Sequence, residues 1–372
     1  MFAQPRNERG IALPMAIFAL VVIGGMVAGS FFIATQEQAV GRNSVRLQQA
    51  FSAAEEGAQL QMANWQSATY NAMIVGDSVT FSGTLSTGTG WYRGSIRRLS
   101  QMMFLVRSEG FNRDSSSRQQ VGMLARLRLI EIDIQGALTT QGDTKIGGSS
   151  FISGHDTPPG AWTGCPATTD ALAGIRINPG ASITTSGCNN LDCVTGDPQV
   201  EYDSEVTEES MTTFGDLTFD ELRALASFEM TGGTYKIEPV VNNGRCQTET
   251  LTNWGDPIDP TSPCNDYFPI IWVNGDLNIN QLMGQGVLIV DGDLSVQGGF
   301  QFYGPVIVRG FLKTTGTGGH FNGGVVAANV ALEQNTVLGD AVINYSSCAL
   351  IRALTASASA DLLQERSWIN LY

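Results

Sequence analysis

The feature that most constrains this chain is an uncharged apolar run close to its N-terminus. Residues 11–34 read IALPMAIFALVVIGGMVAGSFFIA, which is 24 positions without Asp, Glu, Lys or Arg. As a helix rising about 1.5 Å per residue, the run can cross a hydrocarbon core about 30 Å thick. Arg6 and Arg9 precede it and favour a cytoplasmic N-terminus, because positive charge is retained on that side. The sequence therefore predicts a single span with the remaining chain exported.

The helical pattern continues beyond the apolar run without a break. From residue 35 to Trp65 the sequence is mostly polar. The apolar residues within it recur at steps of three and four, which places them on one helix face. This face consists of Leu47, Phe51, Ala54, Ala58, Met62 and Trp65. An ordinary signal peptide would have a shorter apolar run, a cleavage site and a break in structure. We predict one helix of about 55 residues, with its transmembrane half over 11–34 and an amphipathic stem within 35–76.

A short basic leader ending in glycine, an uncharged span and a long stem together resemble type IV pilins and pseudopilins. The segments RGIALPMAIFAL and QQAFSAAEEGAQ are most similar to PilX-type minor pilins, and the resemblance ends near residue 70. It implies that residues 1–10 are a leader, that prepilin peptidase cuts after Gly10, and that the new N-terminal residue, Ile11, is methylated. It also implies other pilin-like subunits as partners, the inner membrane before assembly, and a filament outside the cytoplasm afterwards.

The proposed span departs from the major pilins at one position. Most of them carry glutamate at the fifth residue after the cut, where this chain has Met15. A carboxylate in hydrocarbon is costly unless it meets a cation, and the family uses it to neutralise a neighbouring subunit's N-terminus. Because it lacks this glutamate, the chain resembles PilX-type minor pilins and tip-type pseudopilins, which lack it as well. Gly24, Gly25 and Gly29 join Met15 as candidate helix-packing positions, because glycine allows close helix approach. An unprocessed single-span anchor is the alternative.

Strand-like alternation follows the stem between Ser78 and Asp133. Four alternating stretches are separated by the turn-rich texts STGTG and NRDSSS. This pattern predicts a small antiparallel sheet, over 77–133, that covers the apolar face of the stem.

A different sequence pattern begins after Ile134, with very short apolar stretches and a glycine or asparagine every few residues. The text NGDL at 274–277 recurs as DGDL at 291–294. Matched apolar positions at a short period predict a β-solenoid-like domain of either hand, with a β-sandwich as the alternative. The segments are 134–189 and 269–348 for the solenoid, 190–268 for an acidic, disulfide-containing insertion, and 349–372 for C-terminal docking.

The predicted fold class is therefore α+β: a long N-terminal helix on an antiparallel sheet, then a mainly-β, solenoid-like domain with an insertion. Within the insertion, FDELRALASFEM predicts a short helix with Asp220 as its cap. The docking segment is expected to pack through Leu362, Trp368 and Tyr372.

Cysteine usage indicates an oxidising compartment. All six cysteines lie beyond residue 160, and an even number in an exported region favours disulfides over a metal site. Six cysteines allow 15 pairings. The hypothesis is two local pairs and one that joins the ends of the distal domain, namely Cys188–Cys193, Cys246–Cys264 and Cys165–Cys348.

Charge and motif content argue against nucleic-acid binding and against catalysis. The chain carries −14, with +3 up to Asp133 and −17 beyond it, and such an acidic distal part repels nucleic acid. His155 and His320 are the only histidines and do not suggest a metal site. Asp276 and Asp293 could stack and bind calcium, but turn aspartates more often bond to backbone. No catalytic motif, metal site or cofactor is predicted, and the glycine-rich turn 316–319 lacks a phosphate-binding context.

The sequence thus predicts a non-enzymatic minor pilin or pilin-like component of a type IV pilus or secretion pseudopilus, acting in filament initiation, at the tip or in surface contact. One alternative is a single-span anchor that presents a β-solenoid acting on or binding surface polysaccharide. The other is a surface adhesin. A surface or glycan ligand remains an expected partner of the distal domain.

Overall fold

The computed structural model describes residues 12–128, 130, 132–160, 162–214, 217–329, 335–363 and 368–370. The proposed processing positions, Gly10 and Ile11, lie outside the described residues, as does Tyr372. The described residues form these helices: α1 Ala12–Ala63, α2 Ser67–Tyr70, α3 Glu208–Thr212, α4 Phe219–Ala224 and α5 Ser347–Ala356.

The long helix α1 continues from the apolar run into the stem, as predicted, but it ends earlier than the predicted stem. It stops at Ala63, and after the short α2 the chain turns back at Gly76, where φ is +103°. The side chain of Trp65 fixes this end, because its ring lies edge-on to Tyr70 at 4.9 Å and to Phe104 at 5.1 Å. Aromatic packing against the sheet therefore fixes the position at which α1 ends.

An antiparallel sheet follows α1. Its first strands are β1 Ser78–Thr84, β2 Gly90–Arg98, β3 Met103–Asn112 and β4 Arg118–Arg128, each paired with the next. Alternate residues, such as Val106 and Met123, are buried on one side of this sheet, which packs on the C-terminal part of α1. The predicted arrangement of helix on antiparallel sheet is confirmed.

The contacting face of α1 includes the predicted Ala54 and Ala58, together with Ala50 and Ala53, which the sequence pattern did not include. Ala50, Ala53, Ala54 and Ala58 are fully buried, whereas Leu47 remains 44% exposed and does not join the packed face. The helix comes so close to β3 that a Cβ on Gly110 would lie 2.2 Å from the Ala50 carbonyl oxygen. Alanine and glycine allow this approach, and larger side chains would prevent it.

The distal part of the chain is mainly strand. Its strands are β5 Gly136–Thr140, β6 Thr144–Gly147, β7 Phe151–Ser153, β8 Ala173–Ile177, β9 Ile183–Ser186, β10 Val194–Thr195, β11 Val200–Tyr202, β12 Thr213–Phe214, β13 Leu217–Thr218, β14 Phe228–Ile237, β15 Val241–Asn242, β16 Arg245–Cys246, β17 Ile270–Gln285, β18 Val287–Val290, β19 Leu294–Gln297, β20 Phe300–Val308, β21 Leu312–Thr314, β22 Gly319–Ala327, β23 Asn335–Val337 and β24 Val342–Tyr345. Apart from the hairpins β12–β13 and β15–β16, they form one curled sheet paired in parallel.

Successive passes of the chain around this sheet contribute short strands to three faces. The first face contains β18, the ends of β20 and β22, β5, β8 and β11. The second face contains β19, β21, β23, β6 and β9. The third face contains the starts of β20 and β22, then β24, β7 and β10. The long strand β17 bends through all three.

Equivalent residues of successive passes stack in register inside the curled sheet. Leu277 lies opposite Leu294, which lies opposite Leu312, and all three are fully buried. One corner is a column of glycines: a Cβ on Gly304, where φ is +131°, would lie 2.0 Å from the carbonyl oxygen of Gly286. Apolar stacking and glycine corners together allow the tight parallel coil.

The two distal segments join in an order that the sequence did not indicate. Strand β22, near the end of the second segment, pairs in parallel with β5, the beginning of the first, with Val325 opposite Leu138. Buried Asn335 spans this junction: its Oδ1 accepts from the Leu312 amide at 2.8 Å, and its Nδ2 donates to Thr140 Oγ1 at 2.7 Å. The last pass therefore lies against the first.

The predicted insertion over 190–268 is only partly outside the sheet, because β10, β11 and β14 belong to it. Residues 203–214 and 217–227 lie along the outer side of the first face, where the Phe219 ring packs on Trp272 at 4.6 Å. The cap of α4 is Thr218, not Asp220: the Thr218 hydroxyl accepts from the Glu221 amide, and Glu221 bonds back to the Thr218 amide. Asp220 lies within the first turn instead.

After α5 the chain returns to the antiparallel sheet. Strands β25 Ser359–Leu362 and β26 Trp368–Asn370 both pair antiparallel with β4. The curled sheet is thus inserted between two strands of the first sheet. The side chain of Asn71 links the two parts, because its Nδ2 donates to the carbonyl oxygens of Thr355, Ala356 and Ala358 at 2.8–3.0 Å.

Candidate functional site: an unpartnered apolar helix

The N-terminal half of α1 presents large apolar side chains on every side. Leu13 is 72% exposed, Phe18 71% and Phe31 70%, and the most apolar 18-residue window of the helix has a mean hydropathy of 2.4 with none of it buried. Within the described residues this is the one helix long and apolar enough to cross a membrane. Exposed surface of this size needs lipid or protein to cover it.

Polar groups inside the apolar run are satisfied within the helix. The Ser30 hydroxyl donates to the Met26 carbonyl oxygen at 2.9 Å, and the Thr35 hydroxyl donates to that of Phe32 at 2.8 Å. No unpaired hydroxyl would therefore enter hydrocarbon. The first ionisable residue of the described helix is Glu37, beyond the apolar run.

The predicted helix-packing residues lie on this uncovered surface. Met15 is 68% exposed, and a Cβ on Gly24, Gly25 or Gly29 would find nothing within 4 Å. The structure does not bring these residues into contact with any other part of the chain that it describes. They remain free to meet a neighbouring helix, and Gly25 and Gly29 share one helix side because they are four residues apart.

The turn that follows α2 is held by polar contacts that the sequence pattern did not reveal. Buried Arg98 donates from Nη1 to the Asn71 carbonyl oxygen at 2.7 Å and from Nη2 to that of Gln101 at 2.6 Å. Its guanidinium also lies over the Phe104 ring, 5.4 Å from the centroid, and burial lowers the pKa of Arg98. No signal in the sequence marked this arginine as buried.

The six cysteines form three disulfides. Cys165 bonds to Cys348, Cys188 to Cys193, and Cys246 to Cys264, which are the pairs suggested by the sequence. The first ties the loop before β8 to α5 on the outer side of the third face, where Trp162 also packs on Tyr303 at 5.5 Å. The third lies in the segment that brings buried Trp254 against Phe302 at 6.3 Å.

Asp156 fixes the same loop to α5. Its carboxylate accepts from the amide and hydroxyl of Ser347 at 2.9 and 2.6 Å, and from the amide and hydroxyl of Thr169 at 2.7 and 3.1 Å. Burial by itself would raise the pKa of Asp156, but the hydrogen bonds from Ser347 and Thr169 outweigh it and lower that pKa. Asp156 therefore serves as an ionised anchor.

The candidate calcium ligands are corner residues that bond to backbone. Asp276 Oδ1 accepts from the Asp293 amide at 3.0 Å, and Asp293 Oδ1 accepts from the Phe311 amide at 3.1 Å. Across the described ranges, no group of three or more His, Cys, Asp or Glu side chains could hold a metal ion. His320 contacts the Asp340 carbonyl oxygen at 3.2 Å, whereas His155 lies in an exposed loop elsewhere. Each of these aspartates therefore links its corner to the backbone of the next pass of the chain.

Comparison with known proteins gives little further information. No protein-family model and no curated protein matches the sequence. Among solved structures, the competence-associated pilin ComZ from Thermus thermophilus matches at 12% identity over 88% of this chain and 97% of that chain, with a TM-score of 0.27. A TM-score this low does not define a shared arrangement, so neither fold nor function is transferred from that pilin to this chain.

Proposed function

We propose that this chain is a minor, pilin-like subunit of the PilX type in a type IV pilus or related secretion pseudopilus, acting in initiation, at the tip or in surface contact. One observation carries the proposal: a continuous 52-residue helix whose N-terminal half is apolar and uncovered while its C-terminal half packs on a sheet. Such a helix can leave lipid and bundle with similar helices without disturbing the folded part.

In this role the distal part is a structural scaffold rather than an enzyme. We infer that its curled parallel sheet is a β-solenoid, supported by the in-register stacking of Leu277, Leu294 and Leu312. The absence of glutamate at Met15 favours a subunit that starts or ends a filament, because the charge partner for a neighbour's N-terminus is missing. Before assembly the chain resides in the inner membrane, with its folded part outside the cytoplasm.

Mass spectrometry of the mature N-terminus tests the proposal. Protein from cells with prepilin peptidase should begin at methylated Ile11, and protein from cells without the peptidase should retain Met1. A Gly10→Val variant should remain uncut in both strains, whereas a Gly41→Ala variant, changed in an exposed position of the same helix, should be processed normally. An intact Met1 in peptidase-positive cells, or a cut after Ala34, would contradict the filament role.

The uncut outcome would favour the second candidate function. The same apolar helix is long enough to serve as a simple tether, which would leave a membrane-anchored distal domain that binds surface polysaccharide or acts as an adhesin. Surface display that persists without the pilus motor would support this alternative.

A further inference from the structure

The second face of the curled sheet is bare, unlike the other two. The first face is covered by residues 203–214 and 217–227, and the third by α5 and the loop that holds Trp162. On the second face, the side chains of Asn278, Lys313 and Thr184 are exposed, and no described element packs over them.

Polar side chains on this face form a column in strict register. Each member lies opposite the next across five successive strand pairings, so the column crosses the strands in a straight line. The column consists of Asn278, Ser295, Lys313, Thr336, Lys145 and Thr184. We call it the polar ladder. The junction between β23 and β6 lies within the ladder, so it exists only because the last pass meets the first.

The lysines of the chain are concentrated here. The sequence contains three lysines, of which Lys145 and Lys313 belong to the polar ladder, and Lys236 lies on β14. Lys236 pairs with Glu238 at 3.1 Å, but neither ladder lysine has an ion-pair partner within the described part of the chain. A molecule of charge −14 thus places two ammonium groups on one face, on exposed Lys313 and half-buried Lys145.

The carboxylates nearest to the ladder lie at the corner of the sheet and form no direct ion pair with either lysine among the described residues. Asp143 Oδ1 accepts from the amide and hydroxyl of Ser182 at 2.7 and 3.0 Å, Asp276 Oδ1 accepts from the Asp293 amide, and Asp293 Oδ1 accepts from the Phe311 amide. These bonds hold the carboxylates at the edge of the face, where they keep their negative charge. The ladder therefore offers hydroxyl, amide and ammonium groups to a ligand.

The spacing of the ladder selects an extended ligand. Neighbouring strands lie about 4.8 Å apart, so Lys313 and Lys145, two pairings apart, are separated by about 10 Å along the ladder. A linear polysaccharide advances by a similar distance per sugar as one strand pairing, so carboxylates on every second sugar would meet the two ammonium groups. Sugar hydroxyls would then meet the side chains of Asn278, Ser295 and Thr184 on either side of the lysines, whereas the Thr336 hydroxyl between the lysines is buried.

We propose that the polar ladder binds a linear acidic polysaccharide built from uronic acids. Two cations on an acidic protein are too few for nucleic acid, whose binding depends on neutralising many phosphates. The proposal concerns the distal sheet alone and is independent of the filament role. It would hold equally for a filament subunit and for a single-span anchor.

Binding of polygalacturonate to the full-length protein in detergent tests the proposal. Wild-type protein should bind polygalacturonate and bind its fully methyl-esterified, uncharged form at least tenfold more weakly. The Lys145→Gln/Lys313→Gln variant should lose about tenfold in affinity, because each exposed ion pair contributes up to about 1 kcal/mol. Lys145→Arg/Lys313→Arg should retain binding. Arg97→Gln/Arg113→Gln, with the same charge change on β2 and in the turn between β3 and β4, should stay within about twofold of wild type. Thermal unfolding of each variant checks that it is folded.

Three results would overturn the proposal. One is wild-type protein that does not bind polygalacturonate. Another is a folded Lys-to-Gln variant that binds as well as wild type. The last is a DNA duplex that binds as tightly as polygalacturonate and depends on the same two lysines, since the face would then be a general polyanion site.

Discussion

Arg98 is a buried cation that supports the turn after α2. Within the described residues its partners are main-chain carbonyl oxygens and the face of Phe104, and it pairs with no carboxylate there. Hydrogen bonds to a charged group contribute about 1.5–3 kcal/mol, and carbonyl groups left without a donor add a further cost. Arg98 therefore stabilises the end of the stem.

The Arg98→Met variant should lower the free energy of unfolding by about 2–4 kcal/mol, because buried carbonyl groups lose their donors. The neighbouring Arg97→Met is its matched control, since Arg97 is exposed, and its effect should stay within about 0.5 kcal/mol. Denaturant titration of both variants measures the difference. Equal stability of the two variants would show that the Arg98 contacts contribute nothing.

Because of Asp156, the free energy of unfolding should depend on pH in the acid range. Its folded-state pKa is below the ordinary 3.8, so its stabilisation is complete above that pH and declines as pH falls through the lower folded-state pKa. Asp156→Ala should cost about 1–2 kcal/mol at pH 7, and its unfolding curve should converge with wild type in strong acid. Exposed Asp170→Ala is the nearby control and should cost little at any pH. A deficit in Asp156→Ala that stayed constant down to pH 2 would exclude the ionised anchor.

At the scale of elements, the contact between α1 and β3 decides how the helix lies on the sheet. It depends on small residues, because the backbone of α1 at Ala50 and Ala54 approaches Gly110 directly. The sequence pattern placed Ala54 on the packed face but also included Leu47, and it gave no sign that Gly110 meets the helix here. The exposure of Leu47 follows from its position beyond the packed stretch.

The Gly110→Ala variant should separate α1 from the sheet, since the new Cβ would lie 2.2 Å from main-chain atoms of the helix. Overpacking of this kind costs about 1–3 kcal/mol. Gly41→Ala, in an open part of the same helix, should be neutral or raise stability by up to about 1 kcal/mol. Thermal unfolding in one detergent compares them, and a neutral Gly110→Ala would refute the close contact.

Strands on the first face of the curled sheet are apolar along their whole length, because both of their sides are buried. All four residues of Val287–Val290 are buried, because the inner side faces the core and the outer side is covered by residues 203–214 and 217–227. On the second face buried and outward residues alternate, as in Leu294–Gln297. Continuous apolar strands therefore mark a covered face, and alternating strands mark the bare one.

For the whole molecule, the Cys165–Cys348 disulfide closes a much longer loop than the others. Its cysteines are 183 residues apart in sequence, against 5 for Cys188–Cys193. By loop-closure entropy, Cys165→Ala/Cys348→Ala should cost about 5 kcal/mol and Cys188→Ala/Cys193→Ala about 2 kcal/mol. Denaturant unfolding of the two double variants measures the ratio. A larger loss from the short loop would mean that loop entropy does not govern the contribution of these disulfides.

The sequence by itself determined the features that depend on neighbouring residues. The uncharged run predicted the long helix, and the alternation between Ser78 and Asp133 predicted the antiparallel strands. The short apolar stretches separated by glycines indicated the short strands and tight corners of the curled sheet. Each is set by a local period of the chain. The cap at Thr218 was also readable, because Glu221 three residues later completes a capping box.

Only the tertiary structure decided which passes of the chain are neighbours. In a parallel coil each pass presents similar apolar residues inward, so nothing in the local pattern says that β22 pairs with β5 or that β25 returns to β4. Those pairings depend on contacts between residues far apart in sequence. The polar ladder follows from them, because Lys313 and Lys145 share one column only after the last pass meets the first.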